Sequence, residues 1–234
     1  MTTTPIAGPK DSLRKSTAKF AIAQDGSLEG DVRIELTGHL AVAERNRYED
    51  DAEAQIAEGV KKDVKEQYGE AEVGDVHVEN LTDSEKPFVT AYHIKVAAFA
   101  QRTGKRLFFQ PAVLEMNKPP RYATSERKYM VEVPYPWSEN EQVSIQLPEG
   151  FELDHADMPG PITVQKIAYY NAKAAWTGAT HTLHYSREFS FGESGVLMIP
   201  QKSYPALKAL FDSIHEKDGH MITAKLAAAT SAKN

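Results

Sequence analysis

Eight histidines, 33 carboxylates and no cysteine bound the chemistry this chain can attempt. Without a thiol there is no disulfide, no thiolate zinc site and no cysteine nucleophile. A metal-assisted hydrolase would have to draw on His155, His181 and His184. His181-x-x-His184 falls in a stretch that reads as strand, where a spacing of three sends the two rings to opposite faces. Asp154-His155-Ala156-Asp157 reads as a polar loop and lacks the spacing of a calcium loop. Surface histidines and a polar turn explain these residues better, and no metal or cofactor is expected. A serine hydrolase would need G-x-S-x-G between a strand and a helix. Gly192-Glu193-Ser194-Gly195 is one residue short and sits between two strands, which makes it a hairpin turn. The sequence contains no Walker loop, no G-x-G-x-x-G and no H-E-x-x-H.

The aromatic residues are the remaining candidates for a binding face. Tyr135-Pro136-Trp137, Tyr169-Tyr170 and Trp176 would suit a flat platform for a glycan or a peptide, because such rings join an apolar face to a polar edge. Core or interdomain packing is the competing use. Tyr135, Trp137 and Trp176 are the ligand-binding candidates. Against 33 acidic residues stand 27 basic ones, a net charge of -6 that repels a phosphate backbone, so nucleic acid is not an expected partner. No window approaches the roughly 20 apolar residues of a membrane span, and the first residues lack the apolar stretch of a secretory signal.

The elements that must position these residues are mainly β. Residues 1–16, rich in Thr, Pro, Gly, Lys and Ser, read as a connector arriving from something else. A hairpin follows from near Lys19, turning at Asp25-Gly26, with Val32, Ile34 and Leu36 on one face and Asp31, Arg33 and Glu35 on the other. Leu40 to Ala43 is a short apolar stretch. A helix over 51–68 carries Ile56, Val60, Val64 and Tyr68 on one stripe, acids at its start, lysines toward its end and Gly69 as its cap. Strands are expected at 76–78, 93–100 and 107–114. Asn117-Lys118-Pro119-Pro120 marks a boundary, since consecutive prolines cannot continue a sheet.

The sequence thus predicts an α+β, mainly β chain with two β-rich domains. In the first, over 17–117, an antiparallel sheet packs against one helix. The second, over 118–226, is a β-sandwich with strands near 129–133, 143–147, 162–168, 171–177, 180–190, 195–199 and 221–226 and a helix over 204–216. Tyr204, Leu207, Leu210, Phe211 and Ile214 share a face of that helix. Residues 227–234 read as a frayed tail.

Several stretches resemble the C-terminal accessory region of bacterial transglutaminase-like proteins, the β-rich domains that follow a papain-like core. They include Arg127-Lys128-Tyr129, Val133-Pro134-Tyr135-Pro136, Val143 through Phe151, Met158-Pro159-Gly160-Pro161, Tyr185-Ser186-Arg187-Glu188-Phe189, and Tyr204-Pro205-Ala206-Leu207 with Asp218. Asp25-Gly26-Ser27-Leu28-Glu29-Gly30 and Thr37-Gly38-His39-Leu40-Ala41 with Arg45 and Arg47 extend the likeness to the first domain. The resemblance implies a noncatalytic module that packs against a transglutaminase-like core, in cis or in trans, in proteins that usually enter the bacterial envelope. No catalytic residue carries over, because the triad of that core needs a cysteine.

Overall fold

Alternating apolar and polar residues fold into strands the largest regular part of the chain in the computed structural model, which describes residues 7–193, 195 and 198–227. β1 (Leu13–Ile22) and β2 (Leu28–Leu36) form the expected hairpin. At its turn Asp25 Oδ1 accepts from both the backbone N–H and the hydroxyl of Ser27. Gly26 has φ of 85° there, and a Cβ on it would stand 2.3 Å from the Ala100 carbonyl oxygen, so only glycine fits. β1 begins at Leu13, well before Lys19, because both its edges are paired: with β2 on one side and with a strand from the far half of the chain on the other.

The apolar stretch at 40–43 lies inside a helix, α1 (Gly38–Arg47). Ala41 is its one buried residue, so it carries no stripe by which a sequence pattern could announce it. α2 (Glu53–Tyr68) buries the predicted stripe of Ile56, Val60, Val64 and Tyr68. The Tyr68 hydroxyl donates to the Val113 carbonyl at 2.9 Å, and the Gln67 amide donates to the carbonyls of Leu114 and Met116. The end of α2 thereby clamps a 3-10 turn over Val113–Glu115. Between the two lie β3 (Glu72–Glu79), β4 (Phe88–Val96) and the short hairpin β5 (Gln101–Thr103) and β6 (Arg106–Phe109).

The second half contributes β7 (Val131–Glu132), β8 (Trp137–Gln146), β9 (Phe151–His155), β10 (Ile162–Val164), β11 (Ala168–Thr177) and β12 (Thr182–Phe191). β13 (Met198–Ile199), α3 (Tyr204–Asp218) and β14 (Ile222–Leu226) complete it. Asp154 and His155, expected in a loop, end β9 instead; that strand forms by pairing with β14, a partner far off in sequence. Residues 1–6 of the expected connector, Ser194 of the expected turn, 196–197 of the expected strand and 228–234 of the expected tail lie outside the described residues.

The architecture is mainly β, with a large sheet, a few helices and a C-terminal helix. Eight strands run in the order β10-β11-β12-β8-β1-β2-β4-β3, and four more in the order β5-β6-β14-β9. Both sheets take strands from each side of Asn117. In the larger one the join is the parallel ladder β1–β8, which aligns Ser16 with Glu141. Residues after Asn117 run as an extended strap tied to α3. Tyr122 is buried edge-on against Tyr204 and Phe211, Lys208 Nζ donates to the Tyr122 carbonyl, and the Tyr204 hydroxyl donates to the Thr124 carbonyl. No helix of the described residues is long and apolar enough to cross a membrane.

Candidate functional site

The buried face of the large sheet should be apolar by strand alternation, and along β8 it mostly is. Trp137, Val143 and Ile145 point inward, but Glu139 and Glu141 occupy the inward positions between them. On β12 the inward set is Leu183, Tyr185, Arg187, Phe189 and Phe191. The antiparallel register sets Arg187 opposite Glu141 and Phe189 opposite Glu139, while the parallel register sets Arg14 of β1 opposite Glu139. Period two thus concentrates charge at one point of an otherwise apolar surface.

Two further acids reach that point. Asp218 closes the buried stripe of α3 that runs through Tyr204, Leu207, Phe211 and Ile214. A negative charge at the C-terminal end of a helix is disfavoured by the dipole, by about 0.3–1 kcal/mol at exposed sites. Arg187 offsets this with a bidentate pair: Nε donates to Asp218 Oδ1 at 2.8 Å and Nη2 to Oδ2 at 3.0 Å. The Tyr170 hydroxyl donates to Asp218 Oδ1 at 2.9 Å. The remaining guanidinium nitrogen, Arg187 Nη1, donates to Glu139 Oε2 at 2.7 Å, and Trp137 Nε1 donates to Glu139 Oε1 at 3.1 Å. Glu115, delivered by the turn that α2 clamps, meets Lys118 and lies 3.7 Å from Arg14.

Burial opposes every charge in this group, and the partners decide the outcome. Against burial, acids led by Glu115 and Glu139, with Asp218, hold the Arg187 guanidinium charged well above its usual range. Also against burial, Lys118, Arg187 and Arg14 hold Glu115 below the usual carboxylate range, and Arg187 does the same for Glu139. Asp218 goes the other way, burial raising it in spite of its pair with Arg187, and so does Glu141. Burial first, and the neighbouring Glu115 second, push it well above that range. The oxygens of Glu115, Glu139 and Glu141 lie within 4.8 Å of one another, a spacing that a hard cation also fits. Here Arg187 Nη1 stands 2.7 Å from Glu139 and 3.8 Å from Glu141, so a fixed guanidinium already supplies positive charge at that place.

Beside the cluster opens a cavity of about 340 Å³, walled by Trp137, Phe189, Phe211 and Ile214 and floored by Arg187 and Asp218. Arg121 from the strap lies over the Trp137 ring at 4.3 Å, which roofs that ring with a cation. The polar groups on the floor, Arg187 and Asp218, are engaged with one another.

The three aromatic candidates are not brought together. Trp137 is 5% exposed and packs on Phe189, Phe191 and Phe211. Trp176 is half-buried and meets His181 edge-on, and Tyr135 stacks on His39 at 4.7 Å. Across the ladder Trp137 aligns with Phe191 and so with Ala168, whereas Trp176 aligns with Leu183. The run from Ala168 to Trp176 covers roughly 26 Å at a strand's rise, so the two indoles lie at opposite ends of the ladder. His181 closes a 3-10 turn just before β12 and contacts the Phe151 carbonyl oxygen, while His184 on β12 contacts the Ser144 hydroxyl. His155 pairs with Asp157 near the surface. Glu115, Glu139 and Glu141 did not figure in the sequence reading, and Arg187 and Asp218 figured only as parts of motifs. The available signal was an inward-facing charge flanked by apolar residues on a strand, as in Trp137-x-Glu139-x-Glu141-x-Val143.

Residues 105–224, just over half of the chain, match a family described as a domain of unknown function with a solved structure, DUF3858. The chain belongs to this family. The DUF3858 stretch supplies Glu115, Lys118, Glu139, Glu141, Arg187 and Asp218, while Arg14 and Ser16 come from the segment before it. The match carries no link to transglutaminase-like proteins. No curated protein and no solved structure matches the chain.

Proposed function

We propose that this chain is a noncatalytic structural and interaction module, and that its partner is the papain-like core of a transglutaminase-like protein. The observation that carries the reading is the outer face of the β7–β13 ribbon. Val131 and Ile199 turn inward and are buried. Met198, whose register partner is the exposed Glu132, is 59% exposed, and Met130 and Tyr129, just before β7, are 54% and 81% exposed. Large apolar and aromatic side chains left in solvent around one short ribbon support a place where another protein settles, and methionine and tyrosine suit an interface. The absence of cysteine and the mutual engagement of the buried ions support a role without turnover.

A glycan- or peptide-binding role would have to use Tyr135 and Trp176 separately, since Trp137 is buried and far from Trp176. It draws less support than the ribbon does. The experiment is a calorimetric titration of the chain with its cognate core domain. The expected result is saturable binding with a negative heat-capacity change that weakens by tenfold or more in the variant Met130→Ser/Met198→Ser, about 1.4 kcal/mol. No binding at high micromolar concentration, or equal affinity for that variant, would remove the proposal.

A further inference from the structure

Glu141 stands apart from the other acids of the buried cluster. Its residue is 2% exposed and neither carboxylate oxygen has a hydrogen-bond partner. The hydroxyls of Ser16, its register partner on β1, and of Tyr185 on β12 are also buried and unpartnered. The carboxyl group beside it belongs to Glu115, whose oxygen lies within 4.8 Å. Glu115 and Glu139 have Lys118 and Arg187 within hydrogen-bonding reach, whereas Glu141 has no donor, and a buried ionised carboxylate without donors carries a heavy desolvation cost. Charge counting points the same way. Among the groups withdrawn from solvent, four acids, Glu115, Glu139, Glu141 and Asp218, face three bases, Arg14, Lys118 and Arg187, which leaves one negative charge unmatched; Arg121, at the cavity beside them, is exposed.

We propose that Glu141 is a neutral carboxylic acid at physiological pH, with its proton held between it and the Glu115 carboxylate, so that the cluster is closed by a buried proton. The proton supplies the donor that Glu141 otherwise lacks and makes the group electrically neutral. A proton fits where a divalent cation does not, because adding two charges would overshoot the balance. Every element packed around the carboxyl bears on it: Glu139 from β8, Arg187 and Tyr185 from β12, Arg14 from β1, Glu115 and Lys118 from the turn and the strap, Asp218 from α3, Tyr170 from β11, Tyr68 from α2. Tyr92 of β4, its phenol pushed up to about 12 by burial, is neutral over the same range. The arrangement makes the seam between β1 and β8 sensitive to base.

The sign follows from linkage. The folded protein binds a proton that the unfolded carboxyl releases at about pH 4.3, so the Glu141 contribution declines as pH rises from there through the raised folded value. Urea unfolding from about pH 5 to about pH 9 tests this with the wild type and Glu141→Gln, the neutral isostere. The urea midpoint of the wild type is expected to fall toward high pH relative to that of Glu141→Gln, because the variant cannot ionise. Parallel curves would overturn the proposal. Infrared spectroscopy of the wild type gives a second readout if the variant fails to fold. The carbonyl band of a protonated carboxylic acid is expected at neutral pH, and its absence would overturn the proposal. So would stabilisation of the wild type by calcium, magnesium or manganese that Glu141→Gln abolishes, since the group would then be closed by a metal.

Discussion

On the inner face of the large sheet Arg187 meets Asp218 and Glu139 with 4% of its side chain exposed; on the outer face Arg33 of β2 meets Glu79 and Glu35 with 41% exposed. Both arginines sit mid-strand, and both make ion pairs of about the same length, 2.8 Å for Arg187 with Asp218 and for Arg33 with Glu79. What differs is what lies behind them. Arg33 keeps water on one side, so its partners replace little that solvent would not supply, and the pair is worth about 0–1 kcal/mol. Arg187 has given up nearly all its water, and its partners are the only compensation it has. Equal geometry therefore predicts unequal consequence, and the two faces of one sheet provide the test within a single molecule.

The largest effect is expected from Arg187→Met. It strands Asp218 and Glu139 in the interior and should lower the unfolding free energy by about 3–5 kcal/mol, read by urea denaturation at neutral pH. Failure to fold would be the same result in stronger form. A loss no bigger than that of an exposed arginine would mean that water reaches the cluster after all.

A smaller effect sharpens the outer half of the comparison. His93 of β4 contacts Asp31 at 2.8 Å and Glu29 at 3.3 Å across β2. The hydrogen bond to Asp31 raises its pKa above the usual histidine value, with burial opposing it and the contact to Glu29 adding to it. The raised value means that the stabilisation is present below about pH 6.5, the unfolded pKa, and is lost as pH rises through the folded one. With a third of the side chain exposed, the contribution should stay under about 1 kcal/mol. An NMR titration should place the His93 midpoint above about 6.5, and Asp31→Asn should lower it. A midpoint at or below that value would show the trio to be no more than proximity.

The same contrast explains what could be read from the sequence. The stripes of α2 and α3 and the alternation of β2, β11 and β12 are local patterns, and the structure has them close to their expected bounds, whereas β8, expected over 143–147, starts six residues earlier at Trp137. β1 was foreshortened because Leu13-Arg14-Lys15-Ser16 looks like a linker until strands lie on both sides of it. Asp154 and His155, the end of β9, read as a loop for a similar reason, since the partner strand β14 lies about seventy residues further on. The ion cluster depended on this non-local information to the greatest degree. Glu141 looks like a surface glutamate in Glu139-Asn140-Glu141-Gln142, and its character appears only when β12 sets Arg187 opposite it and α2 brings Glu115 alongside. The parallel join between β1 and β8 has no local signature at all, as its strands are linked through most of the first half of the chain. The spacing of the aromatic candidates follows the same logic, because residue type suggests a platform while register puts Trp137 and Trp176 at opposite ends of a ladder.

The most direct test of the claim that the inner ions hold the fold is a pair of double-mutant cycles by urea unfolding, Arg187→Met with Asp218→Asn and Arg33→Met with Glu79→Gln. The account predicts a coupling of about 1.5–3 kcal/mol for the first and under about 0.5 kcal/mol for the second. Equal couplings, or a first value near zero, would contradict it.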